Sequence, residues 1–276
     1  MDAGSDQDLQ GLPSALDHLD DLMTLAADKQ MIVFLDYDGT LTPIVPRPED
    51  ANLSHSMHNT LAALAHTLPV AVVSGRDLYD VQQRVNIDQL YYAGSHGFDI
   101  AGPQGFHAEQ PFAATFLPDL DRAEAALQHH VGPIMGAQVE RKRFAIAIHY
   151  RRVEPAQVNE VRSAVITVSG TCPNLRLSGG KKLFELRPAV DWHKGKALFW
   201  LMEIMGLDGD NCLPIYIGDD VTDEDAFQAI RNVGIGILVS DTLVVQTAAR
   251  YRLADVNAVA SYLERLTNLY PQGDAK

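Results

Sequence analysis

Cysteine is nearly absent: Cys172 and Cys212 are the two thiols in 276 residues. They stand far apart and without metal-ligand spacing, which excludes both a disulfide framework and a cysteine-built zinc site. Positive charge is scarce as well, with 22 Lys+Arg against 36 Asp+Glu and a formal net charge of −14. A broad electrostatic grip on nucleic acid or on an anionic membrane is therefore excluded. An anionic small ligand is not, because charges beyond about 8 Å are largely screened and a bound cation or a local lysine can outweigh the global sign. No apolar run approaches the roughly 18 residues of a membrane span, and MDAGSDQDLQG lacks the basic-then-apolar order of a secretory leader. A reducing, cytoplasmic setting is the expectation.

What is present is core-forming: 46% of residues are hydrophobic and 21% charged, enough for one large domain or two smaller ones. Leu16, Leu19, Leu22, Met23 and Ala26 fall at helical spacing after Pro13-Ser14, which predicts a first helix over 13–28 with Ser14 as its cap. Short apolar runs then alternate with amphipathic stretches: MIVFL (31–35), a helix around 54–67, PVAVVSG (69–75), a helix about 76–85 and LYYAGSHG (90–97). The same texture returns after Trp192, with LPIYIG (213–218) and IGILVS (235–240) between helices over 194–206, 223–231 and 255–266. Such alternation describes βαβ units, hence an α/β fold with a doubly wound parallel sheet covered on both faces. Between 103 and 188 the pattern changes to helix, hairpin, helix, hairpin, with Phe144, Ile146 and Ile148 alternating. The expected organisation is core over 1–102, an inserted α+β cap over 103–188, and core again over 189–276.

In MIVFLDYDGTLTPI a buried strand runs straight into two aspartates spaced by one. Ligands of parallel α/β sheets bind at the carboxyl ends of strands, and Asp36, Ser74 and Asp219 each follow a short apolar run. With Lys194 they form one rim. Asp36, Asp38, Asp219 and Asp220 would crowd negative charge at neutral pH, and Mg²⁺, which takes oxygen ligands from one or two carboxylates, waters and a phosphate, is the economical counterweight. The remaining groups match phosphoryl transfer: a carboxylate nucleophile, with a hydroxyl, backbone N–H groups and a lysine for the phosphate oxygens. Residues i and i+2 of an extended segment project the same way, so Asp38 can protonate a leaving oxygen while Asp36 attacks phosphorus. Each motif alone has a plainer reading. Asp-Gly is common turn chemistry, Ser74 and Thr222 stand where helix caps stand, and His96 and His149 read as hydrogen-bonded structural histidines. The plain readings leave the order and common placement of all four motifs unexplained.

Asp36-Tyr-Asp38-Gly-Thr40-Leu-Thr42, Ser74, Lys194 and Gly218-Asp219-Asp220, in that order, resemble the haloacid dehalogenase superfamily of phosphatases. The segments Tyr92-Ala-Gly94-Ser-His96-Gly97, Glu140-Arg-Lys142, His149-Tyr-Arg151, Gly180-Lys181-x-x-x-Glu185 and Thr222-Asp223-Glu-Asp225 narrow it to something similar to the trehalose-6-phosphate phosphatases, over roughly 30–268. The resemblance implies Asp36 as nucleophile, Asp38 as acid and base, and Mg²⁺ held by Asp36, the Asp38 carbonyl and Asp219, with Asp220 and Asp223 behind them. It implies phosphate contacts from Thr40, Ser74, Gly75 and Lys194. Substrate contacts would come from Arg76, Gly94, His96, Gly97, Glu140, Lys142, Lys181 and Glu185. A small sugar phosphate is the expected partner, with possible functional coupling to a trehalose-phosphate synthase and no nucleic acid or membrane.

Read without the resemblance, Glu140 and Lys142, and Lys181, Glu185 and Arg187, form polar rows that fit either a sugar or a solvated face with weak ion pairs. Arg143, where a small residue often follows the cap lysine, and His193, before Lys194, depart from the family pattern. Another sugar phosphate on the same scaffold, a non-catalytic phospho-acceptor and a regulatory partner of the synthase remain as rivals.

Overall fold

The computed structural model describes residues 11–180, 182–242 and 246–270. Two sheets organise the chain, and the larger has eight strands. In chain order these are β1 (Gln30–Leu35), β2 (Val70–Val73), β3 (Tyr91–Gly94), β4 (Asp99–Gly102) and β5 (Phe106–Glu109), followed after the inserted module by β10 (Cys212–Gly218), β11 (Ile235–Val239) and β12 (Tyr251–Leu253). Across the sheet the order is β12-β11-β10-β1-β2-β3-β4-β5. The pairs from β12 to β3 are parallel and the last two antiparallel. β1 and β10 read as unbroken apolar runs because both of their faces are covered; all seven residues of β10 and the last five of β1 are buried.

One face carries α1 (Leu19–Ala26), α2 (His55–Ala65), α3 (Leu78–Val85) and α8 (Val256–Leu269), whose apolar sides join Val33, Leu35, Ile215 and Ile217. The other carries α6 (Lys194–Ile204) and α7 (Val221–Ile230), packed on Phe34, Ala71 and Tyr216. Fully burying one such aliphatic or aromatic side chain contributes about 1.5–3 kcal/mol. The chain winds away from β1 in one direction as β2 and β3 and from β10 in the other as β11 and β12. The crevice where the winding reverses therefore lies between β1 and β10.

The second sheet is antiparallel, in the order β6-β7-β9-β8: β6 (Gln138–Lys142), β7 (Ala145–His149), β8 (Leu175–Gly180) and β9 (Leu183–Pro188). α4 (Leu117–Val131) and α5 (Val158–Thr171) cover one face, with Leu120, Leu127, Val161 and Val165 against Ile146, Ile148 and Leu186. A separate cluster of Phe98, Ala113, Phe144, Trp192 and Ala197 joins this cap to the core.

Several expectations are corrected. The eight-stranded sheet runs past residue 102: β4 pairs antiparallel onto β3 and β5 antiparallel onto β4, so strands of that sheet continue to Glu109. The first helix is shorter than 13–28. A 3₁₀ turn at Ala15–Asp17 precedes α1; Ser14 makes no side-chain capping bond, and its backbone bridges to Arg252. Arg252 donates its backbone N–H to Pro13 O (2.9 Å) and its Nε to Leu12 O (3.1 Å), which seats this segment on β12. Thr222 is not the cap of α7. Asp220 occupies that position in a capping box with Asp223. Ser74 is not a cap either, since α3 starts four residues later and is capped by Asp77.

Candidate active site

The site grows from the two strands at the winding reversal. β1 ends at Leu35 level with Ile217 of β10, and Asp36 N–H donates to Ile217 O at 2.9 Å. The chain then folds back at once. Leu41 and Thr42 N–H both donate to Tyr37 O (2.9 and 3.1 Å), Gly39 N–H donates to Thr42 O (2.7 Å), and Gly39 takes φ +88°. The turn chemistry of Asp-Gly and the projection of both aspartates into one cleft are thus realised together.

A β-carbon on Gly39 would lie 2.2 Å from Asp219 Oδ2, so the end of β10 is pressed against this loop. Gly39→Ala combines left-handed strain with that clash. It is expected to lower stability by about 1–3 kcal/mol, read by denaturant unfolding, and to displace Asp219.

Beneath these acids lies a buried network. Lys194, at the first position of α6 and 3% exposed, donates from Nζ to Asp36 Oδ1 and Asp223 Oδ1, both at 2.7 Å. Asp223 is 0% exposed and accepts three further bonds, from Tyr216 OH (2.7 Å) and from the N–H groups of Asp219 (3.0 Å) and Asp220 (2.9 Å). Burial, with the Asp223 and Asp219 carboxylates, pushes the Asp36 carboxyl well above the usual carboxylate range against the pull of Lys194. Burial opposes the charge on Lys194 too, but Asp223 and Asp36 outweigh it and hold the ammonium well above its ordinary value.

Carboxylate oxygens of Asp36, Asp219 and Asp223 lie within 4.8 Å of one another, close enough to share a cation. Asp223 is already occupied by four donors, so the donors that fit a metal are Asp36 and Asp219. A hard, all-oxygen pair of carboxylates suits Mg²⁺.

A cleft of about 200 Å³ opens over this floor between core and cap. Of the residues expected from sequence, it brings together Asp36, Asp38, Gly75, Arg76, His96, Glu140, Lys142, Glu185, Lys194, Asp219 and Asp220. Thr40, Ser74, Gly94, Gly97 and Asp223 are buried outside its lining. The Thr40 hydroxyl is buried without a hydrogen-bond partner, and Ser74 Oγ accepts from Arg76 N–H at 3.1 Å. Lys181 lies outside the described residues.

The cap rows are not a solvated face: Lys142 and Glu185 are 8% and 6% exposed and point at the core. Lys142 Nζ donates to Gly75 O (2.8 Å) and to Glu185 Oε1 (3.0 Å), and Glu185 Oε2 pairs with His96 Nε2 (2.9 Å). Burial works against the Glu185 charge, yet Lys142 and His96 hold its carboxyl far below the usual range. His96 sits with Ser95 and Gly97 in a run of three left-handed residues (φ 59°, 48° and 91°), a strained loop of the kind found where a side chain must be aimed. Arg143 ties the tip of the β6–β7 hairpin to the core, through Glu109 at 2.7 Å and through its own N–H to Asp77 Oδ2 at 2.8 Å.

Three features were given no place in the site by the sequence reading. His149 Nε2 pairs with Glu140 Oε2 at 2.7 Å and shares the cleft wall with it. The loop 44–48 supplies part of that wall from the core side. Tyr216 orients Asp223, and a signal existed: a phenol inside the buried run LPIYIG must find a partner.

A doubly wound sheet with paired acids and a lysine at its winding reversal, beneath an inserted α+β cap, defines a capped α/β protein of the haloacid dehalogenase type. The family model described as trehalose-phosphatase matches residues 34–257, and the chain belongs to that family. It is 43% identical over 271 residues to trehalose 6-phosphate phosphatase RA3 of Zea mays, covering 93% of this chain and 75% of that protein. It is likewise 43% identical to the probable trehalose-phosphate phosphatase H of Arabidopsis thaliana over 270 residues, 92% of this chain and 76% of the relative. The C-terminal domain of the C. albicans trehalose-6-phosphate phosphatase superposes with a TM-score of 0.80 over 94% of this chain and 100% of that one; at 21% identity it speaks to the fold alone. Among the described residues no helix is long and apolar enough to cross a membrane.

Proposed function

We propose that this chain hydrolyses trehalose 6-phosphate to trehalose and phosphate with Mg²⁺ bound, through a phosphate ester of Asp36. Family membership supports the reaction. The observation that carries the site assignment is Lys194 Nζ at 2.7 Å from Asp36 Oδ1, across 158 residues of chain, with Asp219 beside them at the winding reversal.

In the first step an Asp36 carboxylate oxygen bonds to phosphorus, the bond from phosphorus to the sugar oxygen breaks, and that oxygen takes the proton of Asp38. In the second, water attacks phosphorus, Asp38 takes the water's proton, and phosphate leaves as the Asp36 carboxylate is restored. Lys194, Ser74 and the backbone at Thr40 and Gly75 hold the phosphate oxygens. Mg²⁺ held by Asp36, Asp219 and the Asp38 carbonyl would offset the negative charge gathered there. Asp220 and Asp223 keep those groups in place.

Glu140, Lys142 and Glu185, with His96 behind Glu185, read the sugar hydroxyls, and the cap excludes bulk water. A buried polar row built for hydroxyls penalises a sugar that leaves it unpaired, so the disaccharide is read by the cap and the chemistry is done by the core. Functional coupling to a trehalose-phosphate synthase follows from the origin of the substrate. A reducing, cytoplasmic setting is supported by Cys172 and Cys212, both buried as free thiols.

The test is phosphate release from a panel of sugar phosphates. Release from trehalose 6-phosphate is expected to exceed that from glucose 6-phosphate and sucrose 6-phosphate by about 10²-fold or more. It is expected to vanish in EDTA and return with Mg²⁺. Comparable rates on the three sugars would remove the trehalose assignment, and full activity in EDTA would remove the metal.

A further inference from the structure

Arg76 was expected to touch the substrate, and the geometry assigns it elsewhere. A guanidinium has five N–H donors. Four are committed here: Nε to Asp38 Oδ2 and Nη2 to Asp38 Oδ1, both at 2.7 Å, Nη1 to Asp80 Oδ2 at 2.7 Å, and Nη2 to Pro48 O at 2.9 Å. Its plane also rests 5.2 Å from the centre of the Tyr37 ring. The side chain is 10% exposed, and a group so occupied has little left to offer a sugar.

The grip on Asp38 is bidentate, so one lone pair of each carboxylate oxygen faces the guanidinium. The remaining lone pairs open towards the cleft, where the Asp38 side chain is 39% exposed. A proton carried by Asp38 must therefore sit on the cleft side, where a departing oxygen can take it.

Arg76 is itself braced from behind. Asp80 Oδ1 accepts from Arg84 Nε at 2.8 Å, and Arg84 Nη1 donates to Ala51 O at 3.0 Å. This chain of alternating charges runs from the acid through α3 to the loop after β1. Burial opposes the Arg76 charge, but its bonds to Asp38 and Asp80 outweigh that and hold the guanidinium above its ordinary range.

We propose that Arg76 is a positioning residue: it aims the Asp38 carboxyl at the sugar oxygen that leaves phosphorus, and it does not bind the substrate. The inference rests on Asp38 as proton donor, so Asp38→Asn is measured beside it.

The experiment compares Arg76→Ala, Arg76→Lys and Asp80→Asn on trehalose 6-phosphate and on 4-nitrophenyl phosphate, whose leaving group departs without a proton. With Arg76→Ala, kcat on trehalose 6-phosphate is expected to fall about 10²-fold, the lower end of what general acid catalysis supplies. KM and the first-turnover burst of nitrophenolate are expected to stay within about threefold. Arg76→Lys should recover little, because an ammonium cannot grip both oxygens at once. Asp80→Asn, which leaves Arg76 on Asp38 but removes its brace, should show the same leaving-group pattern with a smaller loss. It decides the matter if Arg76→Ala fails to fold.

A tenfold or larger rise in KM with kcat intact would make Arg76 a substrate contact and overturn the proposal. An equal loss on both substrates in the first turnover would overturn it as well. If Asp38→Asn itself lacks the leaving-group pattern, the proton-donor assignment has failed. If Asp38→Asn shows the pattern and the Arg76 and Asp80 variants do not, the failure is that of the positioning role alone.

Discussion

Asp36→Asn is expected to give a folded protein with no measurable phosphate release and an unfolding midpoint equal to or above that of the parent. The change keeps shape and volume, and the amide oxygen still accepts from Lys194 Nζ, which stands 2.7 Å from Asp36 Oδ1. What disappears is the nucleophile proposed above. Accelerations of phosphate-monoester hydrolysis reach ~10²¹ over the uncatalysed reaction, so a site stripped of its attacking atom has nothing measurable left. The neighbouring acids are engaged otherwise: Asp38 is turned by Arg76 for proton transfer, and Asp223 accepts four donors beneath the floor. The stability half follows from burial and the neighbouring carboxylates, which raise the folded-state pKa of Asp36 above its unfolded value. Ionising such a group costs stability, and a neutral isostere avoids the cost. Phosphate release near the parental rate would end the covalent mechanism; a midpoint several degrees lower would show that the Asp36 charge stabilises this fold.

Much of this arrangement was legible beforehand, for a physical reason. Central parallel strands are covered on both faces, so β1, β2 and β10 appear as unbroken apolar runs, and a charge ending such a run marks the sheet's rim. That is how Asp36, Ser74 and Asp219 could be placed on one edge before any coordinates. The cap strand β7 announced itself through the alternation that sets Ile146 and Ile148 against α4 and α5, while its other face is buried as well.

What stayed hidden depends on partners remote in the chain. β4 and β5 are four residues each, joined through Gly102-Pro103-Gln104-Gly105, and by composition that stretch is a loop; the pairing of β4 with β3 and of β5 with β4 makes it sheet. The first helix breaks where Arg252, some 240 residues away, takes the carbonyls of Leu12 and Pro13. Arg76 was taken as a substrate contact from the resemblance, and only the fold reveals that four of its donors go to Asp38, Asp80 and the Pro48 carbonyl. The start of α7 was misplaced because Thr222 is a good cap in isolation. Asp220 wins since its partner Asp223 is simultaneously needed beneath Lys194.

That double duty of Asp223 underlies the opposite case to Asp36→Asn. Asp223→Ala is expected to destabilise the protein by about 3–5 kcal/mol, the cost typical of removing one partner from a buried ion pair. The carboxylate is 0% exposed, and without it the Lys194 ammonium, 3% exposed, keeps Asp36 alone as counter-charge. The Tyr216 hydroxyl and the N–H groups of Asp219 and Asp220 lose their acceptor at the same time. Each buried donor left unmet costs about 1–3 kcal/mol, though neighbouring losses do not add. Asp223→Asn should lie between: an amide oxygen can still receive Lys194 and Tyr216, while its NH₂ faces two backbone donors. Activity should fall in both, because Asp219 hangs from the same carboxylate through its own N–H and Lys194 is aimed by it. Equilibrium unfolding in urea, with phosphate release measured on the folded fraction, separates the two effects. A loss under about 1 kcal/mol for Asp223→Ala, a third or less of what an orphaned buried charge costs, would mean that Asp36 alone suffices to keep Lys194 charged and in place. The site's acids would then divide differently, with the nucleophile also serving as the lysine's anchor. Asp36→Asn would be the destabilising change, and the two variants measured together allow only one of these orders.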